Sequence, residues 1–346
     1  MAKINLHIEI VSSTTPGLSS MGKMSRNAAQ HLLSKHYEHV GISIINDLSD
    51  LEALVAKSPD LVLLGMKFIP QKEGLGITDK NIIWLADYLE ERHIATTGSP
   101  SFAHKLEISK PLTKKTVQIA GYHTARYFVA RMNRSLTPDQ APGEYPFFVK
   151  PANRGGGLGI GSDSVVYNFS ELKSKIDSIA ATLGSDSLIE TYLPGREFSV
   201  AILKGDNSDG YSVMPIELVA PRDSNGARIL GSSVKRSNAE EVFPVLHNIE
   251  SQLVVALALN AFRSIGGRDY GRIDIRMDEH GTPYILEANL IPSLIDEYGS
   301  FPKACALNLG MDYEEMLLRI ITLGMTRARL REHTPRLVQS LSPVYS

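Results

Sequence analysis

The chain has 346 residues, which is long for one compact core and suggests two or three domains. Apolar residues make up 43% of it and charged residues 21%, which are ordinary proportions for a globular protein. The formal net charge of -2 provides no overall positive field for nucleic acid or an anionic membrane. Small molecules are therefore the expected partners.

Three features indicate a soluble protein of a reducing compartment, most simply the cytoplasm. Cys305 is the only cysteine, which excludes an intramolecular disulfide and a cysteine-based zinc cluster. The first residues, MAKINLHIEIVSS, lack a basic segment followed by a long apolar one, so they indicate a strand and not a signal peptide. The longest apolar stretches are too short to span a bilayer.

The first hundred residues alternate strand and helix signals, which predicts a doubly wound parallel sheet. Loops 12–24 and 67–78 follow strands of this sheet and are expected to face a ligand crevice. Ser25 is the expected N-cap of the first helix. The predicted strands are 4–11, 40–46, 60–66 and 93–99, and the predicted helices are 25–37, 48–58 and 81–92.

The pattern changes after Gly98 to helices and antiparallel-type strands. A Pro/Gly-rich link covers 137–146, and the polar segment 221–243 is interpreted as a mobile loop and a candidate lid. We expect domains at 1–103, 104–188 and 189–332, with a loose tail at 333–346. The predicted elements are helices at 103–121, near 170–183, at 245–265 and near 312–330, strands at 187–193, 197–203 and 211–218, and a hairpin at 270–289.

The hairpin segment GRIDIRMDEHGTPYILEANL contains the most informative polar residues. Period-two alternation places Arg272 and Asp274 on one face of the first strand, and Glu287 and Asn289 on one face of the second. If the turn is centred on His280 and Gly281, Asp274 lies opposite Glu287 and Arg272 lies opposite Asn289.

Two carboxylates and an amide oxygen would then converge beside an arginine. Hard oxygen ligands of this kind suit Mg²⁺, which usually takes one or two carboxylates together with nucleotide phosphates. The opposite face, with Leu286 and Ala288 pointing away from the ligands, is apolar. The alternative is a solvated hairpin face with ordinary ion pairs.

A second element, FFVKPANRGGGLGIG, has the residues of a phosphate-binding turn. An apolar strand ends at Lys150, and Gly155, Gly156 and Gly157 follow. Glycines let backbone N–H groups approach phosphate oxygens, and the lysine supplies a positive charge. The segment is neither a Walker motif nor a dinucleotide fingerprint, and a flexible hairpin tip is the alternative.

A third element, SLIETYLPGREFSVAIL, joins two strands through Pro194 and Gly195. The backbone of such a linker can bind an adenine edge, and Glu197 is placed to hold ribose hydroxyls. Taken alone, the segment favours the alternative of a plain β-turn with a surface glutamate.

In this order the three elements resemble the ATP-grasp superfamily and, within it, the D-alanine–D-alanine ligase family. The resemblance covers about residues 1–330. It implies an α/β fold with an N-terminal Rossmann-like parallel sheet followed by a two-subdomain ATP-grasp fold. It also implies ATP and two Mg²⁺ ions, with Mn²⁺ as a substitute, small-molecule carboxylate and amine substrates, and a homodimer formed through the N-terminal domain.

The resemblance also implies a role for each candidate site residue. Lys110 and Lys150 would contact the α- and β-phosphates, with glycine loop 155–159 over them, and Lys235 would reach the γ-phosphate. The others are Glu190, Tyr192 and Leu193 for the adenine pocket, Glu197 for ribose, Asp274, Glu287 and Asn289 for the metal ions, Arg272 for the transferred phosphoryl group, and Ser293 in the segment that binds the second substrate.

Three departures from the family lie in the substrate pockets and the lid. No Asp or Glu occurs between Glu9 and Glu38, where the family has an acidic residue for the first ammonium group. Ser293 replaces a family glycine, and Arg236 follows Lys235 where the family has a tyrosine. We therefore favour an acid–amine ligase of altered specificity, acting through an acyl phosphate, over a cell-wall D-alanine–D-alanine ligase.

Three other functions remain as alternatives. A non-catalytic ATP sensor is expected to lose a metal ligand or the phosphate lysine, and candidates for all of these are present. An ATP-grasp kinase would stop after phosphoryl transfer. A nucleic-acid module would rest on the basic stretch 326–336 alone, which is more simply the solvated end of a helix.

Overall fold

The computed structural model describes residues 2–71, 81–141, 143–205, 210–223 and 225–333. Most of the expected crevice loop 67–78 and of the expected tail 333–346 therefore lies outside the described residues.

The N-terminal region forms the predicted parallel sheet, with strand order β2-β1-β3-β6. Strand β3 is a run of four buried apolar residues, as expected of a strand covered on both faces, whereas β2 at the edge is partly exposed. A two-stranded ladder lies beside the sheet. The strands are β1 (Ile4–Ser12), β2 (Tyr37–Ile44), β3 (Leu61–Leu64), β4 (Phe68–Ile69), β5 (Ile83–Trp84) and β6 (Ala95–Thr96), and the helices are α1 (Lys23–Leu33), α2 (Leu48–Ala56) and α3 (Leu85–Glu90).

Helix α1 differs from its predicted limits. It begins at Lys23 behind Gly22 as N-cap, so the assignment of Ser25 as the cap was wrong. Ser25 lies within the first turn, where its hydroxyl donates to the Gly22 carbonyl at 3.0 Å. The helix ends at Leu33 because β2 already begins at Tyr37.

The central region is an antiparallel sheet of order β7-β10-β8-β9 with helices packed against it. One helix over 103–121 was predicted, but two are present. Pro111 has no N–H to donate, and Ser109 is extended at φ -102° and ψ 94°, so the helix breaks there. The elements are α4 (Ser101–Ile108), α5 (Lys110–Ile119), β7 (Tyr127–Ala130), β8 (Phe147–Pro151), β9 (Val165–Val166), α6 (Phe169–Leu183) and β10 (Ser187–Thr191).

The C-terminal region is an antiparallel sheet of order β13-β12-β11-β14-β15, covered by a long apolar helix. Segment 221–243, interpreted as irregular, contains a helix and a strand, and the helix at 300–309 was not predicted. The elements are β11 (Glu197–Lys204), β12 (Tyr211–Val219), α7 (Ser232–Ser237), β13 (Glu241–Pro244), α8 (Ile249–Ser264), β14 (Tyr270–Met277), β15 (Pro283–Asn289), α9 (Ser300–Leu309) and α10 (Tyr313–His333).

Helix α10 returns to the N-terminal sheet. Its Met316, Leu317 and Ile320 belong to one buried cluster with Leu61 and Leu63 of β3. The first and last parts of the chain therefore share a core. The domain limits given above stay a prediction. Within the described residues, no helix has the length and apolar character that a membrane span requires.

Candidate active site

The site is built on three adjacent strands whose polar residues fall in register. Asp274 on β14 pairs with Ser199 on β11 on one side and with Glu287 on β15 on the other. Arg272 likewise lies opposite Asn289. Both pairings were predicted from the alternation of the hairpin, and the structure confirms them.

A β-bulge changes the pattern just before Glu287. The register shifts between Asp274 and Ile275, so Ile275 pairs with Ile285 and one extra residue is left on β15. As a result Leu286 lines the same cleft as Glu287. The prediction that Leu286 points away was wrong, whereas Ala288 is buried on the opposite side as expected.

The oxygen ligands that were predicted for a metal lie together at the end of the hairpin. Arg272 Nη2 donates to Asp274 Oδ2 at 3.0 Å, and Arg272 Nε lies within ion-pair distance of Oδ1, at 2.9 Å. Ser199 Oγ also donates to Asp274 Oδ1 at 3.0 Å. The side-chain oxygen of Asn289 is buried, and none of the described residues donates a hydrogen bond to it. An acceptor of this kind is suited to a cation.

Glu287 carries a strongly stabilised negative charge. Burial alone would raise its pKa, but the positive charges of Lys110, Lys150, Lys235 and Arg272 outweigh burial and lower the pKa to about 2. Of these four side chains, Lys110 forms a direct ion pair with Glu287, with Lys110 Nζ 3.4 Å from Glu287 Oε2. Lys110 also donates to the carbonyl of Arg154, beside the glycine loop.

Glu190 and two lysines form a buried ion-pair cluster at the base of the cleft. Lys150 Nζ lies 2.5 Å from Glu190 Oε2, and Lys114 binds Oε1. Burial raises the pKa of Glu190, but the charges of Lys114 and Lys150 reverse this and lower it. Lys114 was missed by the sequence interpretation, because a lysine within an ordinary helix is normally exposed.

The cleft has a volume of about 680 Å³ and an apolar section next to its charged end. Tyr192 and Leu193 line it, as predicted, together with Phe148, Ile229 and Leu230, which were not predicted. These three come from segments distant in sequence, so no local pattern indicates that they meet. An apolar slot beside charged groups is typical of a nucleotide pocket.

Glu197 lies at the edge of this slot and is paired with Arg276. Arg276 Nη1 donates to Glu197 Oε2 at 3.0 Å, and Nη2 donates to the Arg228 carbonyl at 2.9 Å. Burial raises the pKa of Glu197 in spite of the opposing charges of Arg276 and Lys235, and the negative charges of Asp274 and Glu287 add a smaller upward effect.

The candidate lid lies directly against the glycine loop. The N–H of Ser232 donates to the carbonyl of Ile160 at 3.4 Å. Gly157 packs against the backbone of Ser232. Lys235, on α7, lines the cleft. The hydroxyl of Tyr298 donates to the carbonyl of Lys235 at 2.5 Å, which ties α7 to segment 291–300.

Most of the predicted site residues are brought together by the structure. Gly155, Gly156 and Ser293 do not line the cleft itself; the two glycines lie in the exposed turn next to it, and the Ser293 hydroxyl is buried. The predicted residues that line the cleft are Lys150, Gly157, Glu190, Tyr192, Leu193, Glu197, Lys235, Asp274 and Glu287, with Lys110, Arg272 and Asn289 adjoining them.

Two antiparallel sheets face each other across this cleft, one carrying Lys150 and Glu190 and the other carrying Asp274 and Glu287, which is the arrangement of an ATP-grasp enzyme. The family model for the D-ala D-ala ligase C-terminus matches residues 120–322, which is more than half of the chain. The chain therefore belongs to the D-alanine–D-alanine ligase family. It is an ATP-dependent ligase that forms carbon–nitrogen bonds of the peptide type.

Known relatives extend the likeness over most of the chain. D-alanine–D-alanine ligase of Alcanivorax borkumensis is 28% identical over 309 residues, covering 89% of this chain and 93% of its own. The Dechloromonas aromatica ligase is 30% identical over 239 residues, covering 68% and 74%. The ATP complex of the Bacillus anthracis ligase superposes with a TM-score of 0.70 at 19% identity, covering 94% and 99%, which shows a shared fold.

Proposed function

We propose that this chain joins a carboxylate to an amine by way of an acyl phosphate. A carboxylate oxygen attacks the γ-phosphorus of ATP, and the bond between that phosphorus and the β,γ-bridging oxygen breaks, so ADP leaves. The amine nitrogen then attacks the acyl carbon, and phosphate leaves as the amide forms. The observation that carries the proposal is the convergence of Asp274, Glu287 and the buried Asn289 oxygen on the lysine-lined end of the cleft.

These three residues fit Mg²⁺. Within the described residues, no group of three or more His, Cys, Asp or Glu side chains is arranged to hold a metal alone. That agrees with Mg²⁺, which prefers few protein ligands and completes its octahedron with water and phosphate oxygens. When bound, Mg²⁺ would neutralise charge on the transferred phosphoryl group. Asp274, Glu287 and Asn289 would hold it.

The chain's own cations supply the rest of the electrostatic stabilisation. Lys110 and Lys150 are placed to hold the inner phosphates, and Arg272 is held rigid by Asp274 beside the metal ligands. Lys235 reaches into the cleft from α7. In its place against the glycine loop, α7 would exclude water, which would otherwise hydrolyse the acyl phosphate.

For the substrates, we propose an amino acid or related amine in a pairing other than D-alanine with itself. Support comes from the position of two of the three sequence departures, those in loop 12–24 and in segment 291–300. Val11, near the end of β1, and Ile291 belong to one buried cluster, and Met21 and Leu294 belong to another, so both segments border the core near the carboxyl edge of the parallel sheet. Both segments differ from the family at the proposed substrate pocket.

A screen of phosphate release tests the reaction and the specificity together. Amino acids and other carboxylic acids are offered singly and in pairs with ATP and Mg²⁺. We expect release that depends on two substrates, with an amide product seen by mass spectrometry. Strong turnover with D-alanine alone would overturn the altered specificity, and release with one carboxylate but without amide would indicate a kinase.

Substitution of the metal ligands tests the assignment of the site. Asp274→Asn and Glu287→Gln keep side-chain size but remove a charge that Mg²⁺ needs, so phosphate release should fall by at least about 100-fold. Glu279→Gln, at the exposed tip of the same hairpin, is the matched control and should retain full activity. Circular dichroism checks that each variant is folded. Full activity in either ligand variant would refute the magnesium assignment.

Size-exclusion chromatography tests the remaining expectation, a homodimer formed through the N-terminal domain. Only the likeness to the family supports it. Elution at the mass of one chain over the concentrations used in the activity assay would refute it.

A further inference from the structure

The environment of Lys114 differs from the environments of the other lysines of the site. It is 1% exposed and lies on α5, behind the cleft rather than in its lining. Its ammonium group donates to Thr124 Oγ1 at 2.6 Å and to the Ile285 carbonyl at 3.1 Å, and it forms an ion pair with Glu190 Oε1. An ammonium group has three donors, so all of them are used within the protein.

Lys150 contrasts with it. It lines the cleft, and among the described residues Glu190 is its single ion-pair partner, at 2.5 Å. Two of its three donors therefore stay available for an incoming anion. Glu190 thus sits between one lysine that is fully occupied and one that faces the ligand.

The contact of Lys114 with the Ile285 carbonyl leads to the metal side of the cleft. Ile285 is the residue before the β-bulge that turns Leu286 and Glu287 into the cleft. Its N–H donates to the His123 carbonyl at 3.1 Å, and Thr124 forms a parallel bridge with it. The lysine therefore closes the junction between the central region and β15.

We propose that Lys114 is a positioning residue for nucleotide binding: it neutralises Glu190 from behind, so that Lys150 can hold phosphate, and it fixes the strand that presents Glu287. Without it, Lys150 would be the one direct ion-pair partner of Glu190 among the described residues, and Glu190 would hold that lysine away from the phosphates. Burial also lowers the pKa of Lys114 to about 8 in spite of Glu190, which agrees with a site where the charge depends on its partner. The inference rests on the proposed nucleotide site.

The test compares ADP with adenosine, because only ADP has phosphates for Lys150. Affinities are measured by calorimetry with EDTA present, so that they report the chain's own cations. In Lys114→Met we expect ADP affinity to fall about 10-fold or more and adenosine affinity to change less than about twofold, since one charge-assisted contact to phosphate is lost. Lys115→Met, exposed one position along α5, is the matched control and should bind both as wild type does.

Two further variants separate this role from general loosening. In a double-mutant cycle with Glu190→Gln, the ADP loss caused by Lys114→Met should shrink, because no charge remains to be neutralised. Thr124→Val removes one acceptor of Lys114 and keeps side-chain shape; it should lower ADP affinity about threefold, and it carries the test if Lys114→Met does not fold.

The measured affinities distinguish a failure of the role of Lys114 from a failure of the proposed function. Equal losses for ADP and adenosine, or unchanged ADP affinity in folded Lys114→Met or Thr124→Val, would overturn the role of Lys114. Wild-type protein that binds no ADP and releases no phosphate from ATP would refute the proposed function instead.

Discussion

Charged side chains in the cleft neutralise one another in pairs. Removing a charge from water costs several kcal/mol unless a partner and hydrogen bonds compensate it. Because the pairs are interdependent, replacing one member leaves the other buried without compensation. Folding must therefore be measured beside activity for every charge variant. The pairs are Arg272 with Asp274, Arg276 with Glu197, Lys110 with Glu287, and Lys114 and Lys150 with Glu190.

Cys305 provides a probe of the folded state. It is fully buried on α9, and burial raises the pKa of its thiol to about 12. Since the thiolate is the reactive form, a disulfide reagent should leave native protein unlabelled over the time in which a model thiol reacts completely. In urea, one equivalent should react, because the chain has a single cysteine. Labelling of native protein at the unfolded rate would contradict this burial.

Among the elements, the hairpin of β14 and β15 was the part of the site best predicted from sequence. Alternation gives the face of each residue, and the turn gives the register, so the opposition of Asp274 and Glu287 followed from local rules. The bulge at Leu286 was not predicted. One extra residue on a strand changes which residues pair, but it leaves no mark in the pattern of polar and apolar residues along the sequence.

Long-range packing explains most of what the sequence left open. The apolar slot is assembled from Phe148 and from residues 229–230, some 80 positions apart along the chain. The buried Lys114 lies on helix α5 and depends on Glu190, which comes from strand β10. By contrast, the break between α4 and α5 had a local signal in Pro111, and the prediction of one helix passed over it.

The contact between lid and glycine loop can be tested with one methyl group. A Cβ at Gly231 would lie 2.6 Å from the Ile160 carbonyl oxygen, so Gly231→Ala must push α7 away from the loop. Since small displacements of positioning groups weaken catalysis strongly, kcat/KM for ATP should fall on the order of 10-fold. Steady-state phosphate release measures it.

Gly205→Ala is the control for this variant. Gly205 lies at the far end of β11, where the nearest atom to an added Cβ is 3.4 Å away, an ordinary contact. It should keep wild-type kinetics. If Gly231→Ala also keeps them, segment 231–232 does not press on the glycine loop during turnover.

At the scale of the whole molecule, α10 fastens the ATP-grasp part to the parallel sheet. Its apolar face shares the core of β1 and β3, and its Arg327 binds both Asp269 and the Thr96 carbonyl. Asp269 also accepts from the N–H of Gly98 at 3.1 Å. One buried carboxylate thus joins the start of β14, the end of β6 and the last helix.

This junction should contribute strongly to stability. Arg327→Met would leave Asp269, whose side chain is 4% exposed, without its cation. Breaking a buried pair in this way costs about 3–5 kcal/mol. For a chain of this length that corresponds to a thermal midpoint lower by roughly 4–7 °C, measured by circular dichroism.

Lys173→Met is the matched control, because Lys173 pairs with Asp177 at 2.6 Å on the exposed face of α6. An exposed pair of this spacing contributes only about 0.3–0.5 kcal/mol, so its midpoint should move by less than about 1 °C. Equal shifts in the two variants would mean that Asp269 finds enough compensation from Gly98 alone. The docking of α10 would then depend on its apolar face and not on the ion pair.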